Sequence, residues 1–137
     1  MTSPLENLVE TGVLQKEPTN QREYDGLVSS GIARLSDSRN IDLTIESRFD
    51  LAYNAAHALS LAALRRAGYR SNNRYTVFQA LPHTLGLGAD VWRMLSRAHQ
   101  LRNEAEYEGY LEVEESFVRD LIVAAEAVEA ALATTLR

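Results

Sequence analysis

Cysteine is absent from this 137-residue chain. That excludes disulfides, thiolate nucleophiles and any zinc site built on sulfur. Metal-ligand spacing is missing too. The three histidines, His57, His83 and His99, form no His-x-x-x-His or Glu-x-x-His pair, so no metal site is expected. Long apolar runs are lacking as well. The most apolar stretch, residues 51–64, is interrupted by Asn54, His57 and Ser60, which marks a buried helix and not a membrane span. Residues 1–9 have no basic region leading into an apolar run. No signal peptide is therefore indicated, and a cytoplasmic location is expected. Gly86-Leu87-Gly88 lacks the spacing and the lysine of a phosphate loop. No segment of useful length alternates with strand period, and no internal repeat is present.

What is there fits one domain with its own core, spanning residues 1–137. The formal net charge is −5, but it is unevenly spread. Between Arg65 and Arg102 stand seven arginines and one acid, Asp90, a local charge of +6 against −11 for the remainder. The overall sign argues against generic nucleic-acid binding. The local sign suits either a phosphate-binding patch or ordinary solvated helix faces.

Start and stop signals divide the chain into helices. Ser3 can cap a short helix that opens at Pro4, with Glu6 placed for a capping box. That helix is an appendage within residues 1–18. Asn20 with Glu23 opens a second, with Tyr24, Leu27, Val28, Gly31 and Leu35 at helical spacing, and the polar cluster 37–40 ends it. A third covers residues 43–67 and stops at Gly68. It is apolar on nearly all sides: Phe49, Ala52, Tyr53, Ala56, Leu59 and Ala63 form one face, and Leu51, Ala55, Ala58 and Ala62 another. Such a helix is expected to be central and to touch a second subunit. One polar line survives on it, Asp50, Asn54 and His57, either a plain polar edge or a site.

The connector 69–75 holds Tyr69, Arg70, Arg74 and Tyr75, suited to stacking on a base or to ordinary turn chemistry. A short helix follows at residues 75–81, and Pro82 is expected to kink or end it. A long helix from Asp90 to about Gly109 and a last one at residues 113–136 complete the chain. The last carries Phe117, Leu121, Ala124, Val128, Ala131 and Thr135 on one face. The expected fold is all-α: an antiparallel four-helix bundle with additional short helices.

The helix from Asp90 carries the informative stretch. Val91, Met94, Leu95, Ala98, Leu101 and Ala105 form one apolar stripe, and Arg102 falls inside it. A guanidinium aimed at a core must be paired or border a cavity. His99, Asn103 and Tyr107 stand four residues apart along a neighbouring ridge.

Arg102-Asn103, then three residues and an aromatic, late in a helix of a small all-helical domain, resembles the HEPN superfamily. Its signature is an arginine, a polar residue and, a few positions on, a histidine. The match covers residues 102–107, and the helix order agrees loosely over residues 20–136. The helix segment 49–59 is also similar to helices of this group. The resemblance implies a metal-independent, cofactor-free ribonuclease fold that dimerises around a shared cleft. Relatives are often toxins paired with a nucleotidyltransferase antitoxin. It would make Arg102 the phosphate-binding and transition-state residue and Asn103 its support. Tyr107 takes the histidine's place. A tyrosine, with a pKa near ~10, is a poor general base at neutral pH.

Three readings follow. The preferred one is a HEPN-like homodimer that binds RNA or a nucleotide around Arg102, with weak or no nuclease activity. Arg102, Asn103, Tyr107 and His99 are its candidate catalytic residues, and Asp50, Asn54, His57, Arg70 and Arg74 its candidate binding residues. The second is an active endoribonuclease toxin. The third is a non-catalytic interaction module in which Arg102 pairs with Asp50.

Overall fold

Side-chain caps set where the helices begin. The computed structural model describes residues 3–134. Ser3 Oγ accepts from the Glu6 amide at 3.1 Å and starts α1, Pro4–Glu10. Asn20 Oδ1 accepts from the Glu23 amide at 3.0 Å and starts α2, Gln21–Ser38. Thr44 caps α3, Ile45–Arg66, and Asn73 caps α4, Arg74–Gln79. In each case a side-chain oxygen meets an amide that the first turn leaves unpaired. The α5 helix, Leu81–Thr84, begins at the proline expected to end a helix: Pro82 lies in its first turn, where a missing amide hydrogen costs nothing. Then come α6, Ala89–Glu108, and α7, Glu115–Thr134. Gly109 closes α6 with φ 88°, a left-handed turn that glycine adopts without strain. The expected end of α7 at residue 136, with Thr135 on its inner face, lies outside the described residues.

Most of the described chain is helical, and four helices are long: α2, α3, α6 and α7. One short antiparallel pairing was not foreseen. The strand β1, Gln15–Lys16, meets β2, Tyr69–Arg70, with Gln15 opposite Arg70. Two residues are too few to show a period.

At the centre lies α3. Ala52, Tyr53, Ala55, Ala56, Leu59 and Ala62 are fully buried on it. Its small residues let α2 and α7, its main neighbours, approach closely. At Gly31 of α2 an added methyl would stand 2.7 Å from Leu59 Cγ, so the contact needs glycine there. Both apolar faces of α3 are thus covered within one chain. The cover that its all-round apolar pattern calls for is supplied, over most of that surface, by the chain's own α2 and α7. No helix among the described residues is long and apolar enough to cross a membrane.

Two buried arginines lock the ends of α3. Arg48 donates to the Ser38 carbonyl (3.0 Å) and to Glu115 (2.9 Å), joining the end of α2 and the start of α7. Arg65 is 1% exposed. It donates to Glu23 (2.9 Å) and to the carbonyls of Glu17 (3.0 Å), Pro18 (2.7 Å) and Tyr69 (3.1 Å). It therefore fixes the β1–α2 connector against α3 and β2. Around it, α1 packs Leu5, Leu8 and Val9 onto a second small core of Leu14, Leu64, Tyr69, Val77 and Ala80.

Arg65→Ala should destabilise the fold by about 3–5 kcal/mol, because it removes one cation from Glu23 and leaves three backbone carbonyls without that donor. Arg39→Ala, which breaks an exposed bridge to Glu126, should cost no more than about 1 kcal/mol. Urea unfolding of the two variants makes the comparison.

Candidate functional site

Positions 50, 53, 54 and 57 share one face of α3, because three- and four-residue steps return to the same side of a helix. That face meets α6 and the first residue of α4. Tyr53 lies fully buried at the junction. Its ring stacks on Phe49 (centroids 6.3 Å apart) and on the His99 imidazole (6.2 Å), and the edge of Phe78 closes the pocket. A buried phenol needs a partner for its hydroxyl. Tyr53 Oη and His99 Nδ1 supply one another's, at 2.7 Å. The other imidazole nitrogen, Nε2, lies 3.2 Å from Asn103 Nδ2. Both nitrogens of His99 are therefore engaged.

Two guanidiniums flank this centre from different helices. The Cζ atom of Arg102 is 5.3 Å from the Tyr53 ring centroid, and that of Arg74 is 5.5 Å away. Each gains from the negative face of the ring. Arg74 is steered by Asn54, whose Oδ1 accepts from Nη1 at 3.1 Å. Asn54 is itself oriented by donating to the Asp50 carbonyl at 2.8 Å. Arg102 pairs with Glu106, one turn further along α6, at 3.1 Å.

Burial, helped by the charges here, keeps the histidines neutral. Burial, then the cations Arg74 and Arg102 with His99 beside them, pushes His57 down to about 4. Burial first, then Arg74 and Arg102, lowers His99 as well. Burial raises Tyr53 despite both guanidiniums, so it stays a phenol. The cluster thus presents two fixed cations, two neutral imidazoles and one phenol.

Most of the residues read from the sequence meet here: Arg102, His99 and Asn103 from α6, Asn54 and His57 from α3, and Arg74 from α4. Others do not. Tyr107 is 95% exposed, one turn past Asn103 and outside the cluster. Asp50 is exposed and lines a separate hollow of about 420 Å³ with Glu46, Glu106 and Arg102. The carboxylate that pairs with Arg102 is Glu106 and not Asp50. Arg102 is also half-buried, with its side chain 29% exposed; the arginines sunk in the core are Arg48 and Arg65. Arg70 points elsewhere and is held by Glu17 (2.8 Å) and Glu23 (2.5 Å). Tyr69 is buried, and its hydroxyl donates to Glu6, so it offers no ring for stacking.

Sequence reasoning placed Tyr53 among the apolar residues and missed its role. The signal was present: a tyrosine between Asp50, Asn54 and His57 on one helix face carries a hydroxyl among polar neighbours. No family model matches the chain, and no curated protein does either.

Neutral, buried His57 gives a pH test. Its folded value of about 4 lies below the ordinary 6.5. Between those values the unfolded chain binds the extra proton, so stability should rise with pH across that window. The slope should shrink in His57→Gln. Unfolding free energies from pH 4.5 to 6.5 measure it, and an unchanged slope in the variant would show that His57 is not the neutral group.

Proposed function

We propose that this chain binds RNA or a nucleotide by its phosphate at the α3–α4–α6 cluster, with weak or no nuclease activity. The observation that carries this reading is the convergence of Arg74 and Arg102 on one tyrosine ring. Arg74 is held by an amide and not by a carboxylate. The pair of Arg102 with Glu106 is a half-exposed i,i+4 bridge, of a kind worth only about 0.3–0.5 kcal/mol. A phosphate can therefore displace Glu106 at little cost and gain two charge-assisted contacts. Asn54 and Tyr53 hold the cations in place before the ligand arrives.

In this reading the four long helices form an antiparallel four-helix bundle of HEPN type. The chain acts as a homodimer with a shared cleft, and a nucleotidyltransferase protein is the partner that the resemblance suggests. The dimer surface lies away from α3, whose apolar faces are already covered.

Cleavage is expected to be weak because the cluster lacks a good base. Tyr107 stands in solvent away from the guanidiniums. His57, at about 4, is a poor proton acceptor at neutral pH. A second reading, a metal-independent endoribonuclease, is favoured by one observation. His99 is a neutral imidazole bonded to Asn103, on the same helix as Arg102.

Fluorescence anisotropy with a labelled single-stranded RNA separates these readings. Affinity should fall steeply from about 50 to 200 mM salt. Arg74→Ala and Arg102→Ala should each weaken binding and lower the salt slope by about one. In EDTA the RNA should stay largely intact. Brisk cleavage lost in His99→Ala would promote the endoribonuclease, and no binding at any salt would remove both readings.

A further inference from the structure

A second groove opens on α6 beside the phosphate cluster. It has a volume of about 630 Å³, and His99 and Asn103 form the border shared with the cluster. We propose that this groove is a nucleobase subsite, which takes one unpaired base of a single-stranded RNA whose phosphate lies at Arg74 and Arg102. The inference rests on the RNA-binding reading above.

Three features of the groove suit a base. The first is aromatic surface. Trp92 and Tyr75 both line it, from α6 and α4, and Tyr75 is 41% exposed. Trp92 is half-buried, packed against the main core and still lining the groove; an accessible ring surface stacks on any base, because every base has a π face. The Arg93 guanidinium already lies 5.8 Å from the Trp92 ring, so the indole accepts a planar cation at its face. The second is charge. Arg93 and Arg97 line the groove against one carboxylate, Glu104, which suits a neutral base joined to an anionic backbone. The third is hydrogen-bonding capacity. Gln100 and Asn103 carry amides that can both donate and accept, as a base edge requires. Ser96 also lines the groove, and its Oγ is buried without a hydrogen-bond partner among the described residues.

The combination points to an unpaired base and not to a duplex. A paired base has its faces covered by stacking and its edge occupied by its partner. A splayed base offers both to the protein. A sugar or a bare phosphate would make no use of the Tyr75 ring, and would add nothing at Trp92 to the Arg93 contact it already has.

Trp92 is the chain's one tryptophan, so its fluorescence reports on the groove without a label. Two single strands of equal length and charge serve as probes, oligoadenylate and its abasic counterpart. Oligoadenylate should quench Trp92 saturably and bind roughly tenfold more tightly than the abasic strand. The abasic strand should bind through the arginines and leave the fluorescence unchanged. Trp92→Ala should lower oligoadenylate affinity to that of the abasic strand, and Trp92→Phe should keep most of it. Tyr75→Ala, at an exposed ring, should weaken oligoadenylate binding with no loss of folding. Equal affinity for both strands, with binding still lost in Arg74→Ala, would overturn the subsite and leave the phosphate reading standing. Failure of both strands to bind would overturn the two together.

Discussion

The hydrogen bond between Tyr53 and His99 sets the arrangement of the whole candidate site. A phenol sealed in a core cannot remain unbonded without a cost of about 1–3 kcal/mol. His99 is the partner that the fold provides. That one contact fixes the rotation of α6 against α3. With His99 facing inward, Arg102 three residues on shares its side, and Asn103 four residues on reaches its outer nitrogen. On α3, the face that carries Tyr53 also carries Asn54 and His57. Asn54 then reaches Arg74 at the start of α4. Three helices are thus set around one buried ring.

Five arginines of the chain, Arg48, Arg65, Arg70, Arg74 and Arg102, fall into two classes that sequence alone does not separate. Arg48, Arg65 and Arg70 are met by carboxylates of other elements, and for Arg48 and Arg65 by backbone carbonyls as well. Their charges serve the fold. Arg74 and Arg102 sit over an aromatic ring, and the one carboxylate among the described residues that meets them is the exposed Glu106, on Arg102. Burial lowers the two neighbouring histidines, and the field of these arginines lowers them further. A net-negative protein can hold such a patch because Glu17 and Glu23 neutralise Arg65 and Arg70, while Arg74 is held by the Asn54 amide and Arg102 is met only by the exposed Glu106.

Local signals were the legible ones. Ser3, Asn20 and Gly68 act within four residues of themselves, and each stands where its helix starts or stops. The long helices follow from their apolar periodicity. What sequence concealed depends on distant partners. Arg65 looks like any cation near a helix end, and its burial comes from a connector more than forty residues earlier in the chain. The apolar faces of α3 that suggested a second subunit are covered by distant parts of the same chain, α2 and α7. A helix apolar on all sides shows that something covers it, not that the cover is another chain. At the site, Arg102, His99 and Asn103 were legible from spacing on one helix. Tyr53 was hidden because its packing role and its polar role use the same side chain. The distance of Tyr107 from the cluster was hidden because a spacing of four does not fix how deep a residue sits at a helix end.

The central claim is that Arg74 and Arg102 together hold a phosphate over the Tyr53–His99 pair. Histidine titration by NMR, with and without a short single-stranded RNA, tests it most directly. In the free protein His57 and His99 should titrate below the ordinary histidine range. Burial depresses them most, and a bound phosphate would offset the further lowering by the two guanidiniums, so both pKa values should rise on binding. RNA binding that leaves the titrations of His57 and His99 unchanged would contradict the account, because the phosphate would then lie elsewhere.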